Sequence, residues 1–349
     1  MSTTPTLSNA QSQLNPEATG ITVDYFEKDD RWINRRIAPV FPTTKRRVSL
    51  MRYLAADALP TEGTRLTRAS GGEGIELPTQ KPSPVEFLIN GGQLTAIVPQ
   101  EEIDEAEENQ KNQPFNVRAI MAAGFLNLEM EMRVAQYFLP IGSSRYPLAN
   151  TNFPAANVVA ASGNWATYNP ATDRVIGNDV KGIAAAFDLQ FGVKPNFAVI
   201  DDITDTFFMD QLMKERNTSI SIGSYSQGGD LLPSANGMRV HGMEILVPGS
   251  RSEGTPGDAV YSPQRAWGTF PYFIVGYSPT LATGAEWNKV GECYVAQADY
   301  RRPGSVPFQA NQQPDPLFGK NPVHHMWWDF ERTEQIVKAD LVMAVGPIR

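Results

Sequence analysis

A chain of 349 residues, 41% apolar and 19% charged, has enough apolar surface for more than one minimal core, which predicts two interleaved lobes rather than separate beads. A net charge of −8 with basic residues scattered in short clusters (Arg35-Arg36, Lys45-Arg46-Arg47, Arg301-Arg302) argues against a nucleic-acid grip, which concentrates positive charge. No run of eighteen apolar residues and no basic-then-apolar leader exist, so neither a membrane span nor secretion is expected. A single cysteine, Cys293, excludes an internal disulfide framework and reads as a small buried hydrophobe in a reducing compartment.

Residues 1–20 are polar and aperiodic, the pattern of an extended arm. Pro39 and Pro42 break any helix after the mixed aromatic and charged segment 21–38. In "RRVSLMRYLA" the alternation of Val48, Leu50 and Arg52 against Ser49, Met51 and Tyr53 predicts a strand. The stretch 56–84 is rich in Gly, Thr, Pro and charge and framed by strand-like pieces, so it reads as a protruding β-hairpin excursion. After it, "VEFLI" (85–89) and "LTAIV" (94–98) read as strands joined by a tight turn at "NGGQ". The acidic segment from Pro99 predicts a short helix.

The clearest helix lies between Pro114 and Pro140. Val117, Met121, Phe125, Leu128, Met132, Ala135 and Leu139 recur at helical spacing as one stripe, expected to face the core. A second helix is predicted from Ile176, Val180, Ile183, Phe187 and Phe191, stopped by Gly192 and Pro195. "NFAVI" reads as a strand, and Asp201 or Asp202 as the cap of a helix over 203–216. Beyond Asn217 short strands are expected at 239–250, 257–262 and 271–279, then a pair of long antiparallel strands near the C-terminal end.

Reactive chemistry is sparse. The three histidines, His241, His324 and His325, have no Cys or His partner at ligand spacing, so no metal is expected. "GSYSQGG" (223–229) lacks the G-x-S-x-G pattern of a hydrolase elbow, and "GGEG" and "NGG" lack the Lys-Ser/Thr of a phosphate loop. Asp201-Asp202 and Glu101-Glu102 serve more simply as helix caps or solvated faces. No cofactor is expected and no catalysis is legible.

The order of the pieces is more informative than any one of them. "IAPVFPTTKRRVSLMRYLAAD" (37–57) resembles the lead into the extended loop of tailed-phage major capsid proteins with the Hong Kong 97 fold, a fold shared with encapsulins. "NWATYNPATDRVIGNDVKGIAAAFDLQFGVKPNFAVI" (164–200) resembles the Trp, Asn-Pro, amphipathic helix and strand that lead into that family's apical domain. "VHGMEILVPGS" (240–250) and "GDAVYSPQRAWGTFPYFIVGYSP" (257–279) are similar to its later strands.

The resemblance covers about residues 20–346 and implies an α+β fold in five parts. These are an N-terminal arm (1–50), an extended loop with its base strands (51–98), and a peripheral domain (99–194) with a spine helix at 114–139. An axial domain (195–300) follows, and C-terminal strands (301–349) return to the peripheral domain. It implies a structural protein that forms hexamers and pentamers and closes an icosahedral head around double-stranded DNA. The alternatives are an encapsulin-like compartment, or an enzyme or binding module with an unrecognised pocket.

Expected partners are other copies of the chain, with scaffolding, portal and decoration proteins as further candidates, and packaged DNA in non-specific proximity but no membrane. The expected location is the virion, after assembly in the host cytoplasm. Candidate contacts between subunits are Arg46, Arg47, Arg65, Arg68, Glu73, Glu76 and Lys81. Some relatives cross-link Lys to Asn; Lys81, Asn311 and Asn321 lack a motif that would pin such an acceptor, so no cross-link is expected. The short polar N-terminal stretch is too brief for a long built-in scaffold.

Overall fold

The computed structural model describes residues 13–14, 17–22, 32–52, 83–108, 113–140, 153–169, 173–216, 236–253, 263–281, 292–301, 309–315 and 323–349. The excursion at 56–82, "GSYSQGG" and the strand expected at 257–262 lie outside them. The chain opens with β1 (Gln13–Leu14), a short helix α1 (17–22), α2 (Asn34–Ile37), β2 (Val40–Thr43) and β3 (Arg47–Arg52). There follow β4 (Ser83–Leu88), β5 (Gly91–Pro99), α3 (Gln100–Glu108) and the 25-residue α4 (Pro114–Phe138). Next come β6 (Val158–Val159), α5 (Val175–Phe191), β7 (Phe197–Val199) and α6 (Asp202–Arg216).

The remainder is strand-rich. It holds β8 (Arg239–Val240), β9 (Met243–Leu246), β10 (Arg251–Glu253), β11 (Pro263–Arg265) and β12 (Phe273–Gly276). It closes with β13 (Val295–Tyr300), β14 (Gln309–Asp315), β15 (Val323–Ile336) and β16 (Val342–Val345).

Two sheets organise these elements. The first runs β1-β14-β15-β13-β2, with β5 also on β15. At 14 residues β15 is long enough to pair antiparallel with β5 and β14 on its two sides along its first part and with β13 along its last. The second runs β6-β16-β12-β7-β9-β8. A separate ribbon pairs β3 with β4 from Arg47↔Leu88 to Arg52↔Ser83, and on it Val48 and Leu50 face inward while Ser49 and Met51 are exposed, as alternation predicts.

Two expectations change here. The strands on either side of "NGGQ" do not form a hairpin: β4 pairs with β3, and β5 leaves to pair with β15. The aromatic-rich strand Val323–Ile336 recruits β5 because Trp328 and Met326 bury against Val98 on its far side. Within 239–250 the short strands β8 and β9 are cut at His241 (φ 51°) and Gly242 (φ 86°), which take the left-handed conformations of a tight turn. The segment 324–348 does not pair with itself among the described residues: β15 pairs antiparallel with the preceding β14 in the first sheet, while β16 crosses to the second and sits between β6 and β12.

Helix α4 links the layers. Ala119 and Ala122 let its first half approach the first sheet closely, beside Val98, Met326 and Trp328. Its last turns bury Val134 and Phe138 in the main core, where Phe138 meets Phe197 and Tyr294 edge to face. Steps of four residues along 122, 126, 130, 134 and 138 each advance about 40°, so the buried face winds around the helix. The stripe expected to face the core fails in its first half: Val117, Met121 and Phe125 are exposed. Small residues, not the large apolar ones, mark the true packing face there.

Candidate assembly surfaces

Buried polar groups hold the architecture together. Glu131 on α4 is fully buried, with no cation beside it among the described residues; its carboxylate accepts hydrogen bonds from Trp267 Nε1 (2.6 Å), Asn34 N (2.9 Å) and Ile33 N (3.4 Å). It therefore clamps the start of α2 to α4, while Gln297 Nε2 donates to Ala38 O (2.9 Å) just past the other end of α2. Burial pushes the Glu131 carboxyl up to about 7, against the opposing effect of its three donors. Asp299 and Arg332 stand opposite each other on β13 and β15, 3.3 Å apart and almost fully buried, and Arg301 joins the same carboxylate at 3.0 Å.

A second pair of carboxylates terminates helices. Asp201 caps α6 through Thr204 N (2.7 Å), as its position predicts, and also receives Phe270 N (3.3 Å) and Arg349 Nη2 (2.6 Å). No side chain at the start of α5 caps it; instead Glu215 reaches across from the end of α6 to Ile176 N (2.9 Å) and Gly177 N (2.8 Å) and also accepts from the Tyr168 hydroxyl. Burial and that carboxylate push the Tyr168 phenol up. Neither Glu131 nor Glu215 stands out in the sequence. For Glu131 the available signal is its place among Leu128, Val134 and Ala135 one turn away; Glu215, flanked by Lys214 and Arg216, carries none.

These carboxylates are ties between elements, each spent on partners within the chain. Among the described residues no cluster of His, Cys, Asp and Glu has the arrangement to hold a metal ion. His324, one of the three histidines, shares its ring nitrogens with Gln312 (3.2 Å) and Gln100 (2.9 Å) and meets Phe115 edge to face. Cys293 is buried as predicted, and burial pushes its thiol up, away from reactivity.

Of the candidate contact residues, Arg65, Arg68, Glu73, Glu76 and Lys81 lie outside the described residues. Arg46 and Arg47 sit at the exposed start of the β3–β4 ribbon, each paired within the chain. Arg46 makes a fork with Glu331 (2.7 and 2.9 Å) and lies 5.6 Å from the Tyr300 ring centroid; Arg47 meets Glu86 at 2.6 Å. Asn311 is in β14, opposite Leu14 and Trp327. One surface that helical spacing assigns to the core is in fact open: the face of α4 bearing Val117, Ile120, Met121, Gly124 and Phe125.

No protein-family model and no curated protein sequence matches the chain. Its fold does have counterparts among solved structures. The arrangement of a long helix, two mixed sheets and a separate two-stranded ribbon is the α+β fold of phage capsid proteins of the Hong Kong 97 type. A phage-related protein from Bordetella bronchiseptica RB50 superposes with a TM-score of 0.58 at 15% identity, over 97% of this chain and 98% of that one. The capsid of cyanophage P-SCSP1u gives a TM-score of 0.50 at 11% identity, over 99% of this chain and 92% of that one.

Proposed function

We propose that this chain is the major capsid protein of a tailed phage, a structural subunit that self-assembles through hexamers and pentamers into an icosahedral head around double-stranded DNA, without catalysis of its own. The observation that carries this is near-complete coverage in both directions against a cyanophage capsid structure. A chain that covers 92% of such a subunit has the fold needed for the same kind of work. The polar groups fit that role, since Glu131, Asp201, Glu215 and Asp299 stiffen a wedge instead of gathering around a substrate.

In this reading residues 1–50 are the arm, 51–98 the extended loop, 99–194 the peripheral domain and 195–300 the axial domain, with 301–349 returning. Arm and loop reach neighbouring subunits, and many weak identical contacts sum around a closed shell. Arg46 and Arg47, with the loop residues Arg65, Arg68, Glu73, Glu76 and Lys81, belong to those contacts. The test is light scattering with negative-stain microscopy of the purified chain over a range of concentrations. Closed shells or capsomer rings are expected, and deletion of 60–83 should abolish them while leaving a folded subunit. A compact monomer under every assembly condition would overturn the proposal.

A further inference from the structure

The exposed face of α4 is a three-turn apolar strip. Val117 (38% exposed), Ile120 (39%), Met121 (48%) and Phe125 (56%) surround Gly124, where an added Cβ would meet no atom within 4 Å. A helix-interior glycine with open space above it weakens the isolated subunit relative to alanine and serves nothing inside the chain. It leaves a notch in which another backbone can come close.

The strip has an acidic border. Glu102 meets Arg118 at 3.2 Å on one side, and Glu17 accepts from Asn116 Nδ2 (3.0 Å) on the other. Beyond Glu102, α3 exposes Glu101, Glu102, Asp104, Glu105, Glu107 and Glu108, while Ile103 and Ala106 turn inward.

We infer that this face docks a protein segment folded as an amphipathic helix whose apolar stripe is bordered by Lys and Arg. The apolar strip supplies burial and the carboxylates of α3 supply orientation. A second copy presenting the same face would oppose two acidic borders, and DNA or an anionic lipid surface would be repelled by them. The proposal does not rest on the capsid reading.

The test uses the full chain and a fluorescently labelled synthetic peptide of eighteen residues, with a Leu stripe bordered by Lys, measured by anisotropy. A control peptide carries Glu in place of each Lys. The Lys peptide is expected to bind, and added salt to weaken it. Met121→Ser with Phe125→Ser should weaken it about tenfold or more.

Gly124→Leu adds apolar surface yet fills the notch, so it should weaken docking, whereas indiscriminate sticking would be strengthened. Equal binding of both peptides, or binding unmoved by Gly124→Leu, overturns the inference. So does self-association of the wild-type chain that is lost in the Met121→Ser, Phe125→Ser variant, because the occupant is then a second copy. Shells that still form in that variant while peptide binding is lost support it. Failure of the wild-type chain to form shells bears on the capsid reading alone.

Discussion

Replacing Glu131 by glutamine isolates the energetic consequence of a carboxylate buried without a cation. Its folded value of about 7 lies above the 4.5 of the free side chain, a gap worth on the order of 3 kcal/mol at 1.36 kcal/mol per unit. The sign follows from proton uptake. Below about pH 4.5 both folded and unfolded states hold the proton and no penalty exists. As pH rises towards 7 the unfolded state ionises first, so wild-type stability falls; above about 7 the full penalty persists.

In the Glu131→Gln variant the side chain never ionises. Its amide turns an N–H towards one of the donors Trp267, Asn34 or Ile33, a mismatch of about 1–3 kcal/mol that is independent of pH. Urea unfolding of the unassembled subunit at pH 5, 6, 7 and 8 should therefore show Glu131→Gln gaining on wild type by roughly 2–3 kcal/mol across that range. Glu334, whose carboxyl is also raised by burial, is common to both proteins and cancels. Parallel stability profiles for the two proteins would refute the reasoning.

Three further outcomes are expected. Glu215→Ala strands the Ile176 and Gly177 N–H groups and the Tyr168 hydroxyl, and should destabilise the subunit by about 2–4 kcal/mol in chemical denaturation. Gly346→Ala places a Cβ 2.3 Å from Tyr272 Cδ1 and 2.7 Å from the Pro271 carbonyl oxygen; a backbone oxygen does not yield, so a lower melting temperature or loss of soluble protein is expected. Arg349→Ala removes the cation from the buried Asp201 carboxylate and should lower stability by about 1–3 kcal/mol, with partial recovery in Asp201→Asn, Arg349→Ala as read by thermal melts.

Local rules are legible wherever one face of an element decides its burial. In α5 the residues Ile176, Val180, Ile183, Phe187 and Phe191 are buried as their spacing predicts, and Gly192 adopts the left-handed cap (φ 68°). Asp201 caps α6 for the reason its position suggests. Pairing between distant strands is not legible, because β5 and β15 are joined by side-chain packing across more than two hundred residues, while a local Gly-Gly signal points to a hairpin. The α4 stripe misleads for a physical reason. Hydrophobic periodicity marks every apolar face of a helix, including one left open, and only the alanines at 119, 122 and 123 distinguish the face that meets the sheet.

The placement of β16 has a consequence for how this chain is made. The second sheet has a vacant slot between β6 and β12 until residue 345 has left the ribosome, and the Trp165 amide finds its acceptor only in Ile348 O (2.8 Å). The first sheet likewise waits for residues 323–336, because β15 joins β5 to β14 and β13. Both layers thus close only once residues 323–345 are available, around strands that are distant in sequence, which favours slow completion of folding over stepwise docking. A nascent chain stalled before those residues carries open strand edges on both sheets, and the finished subunit appears only when the last strand is inserted.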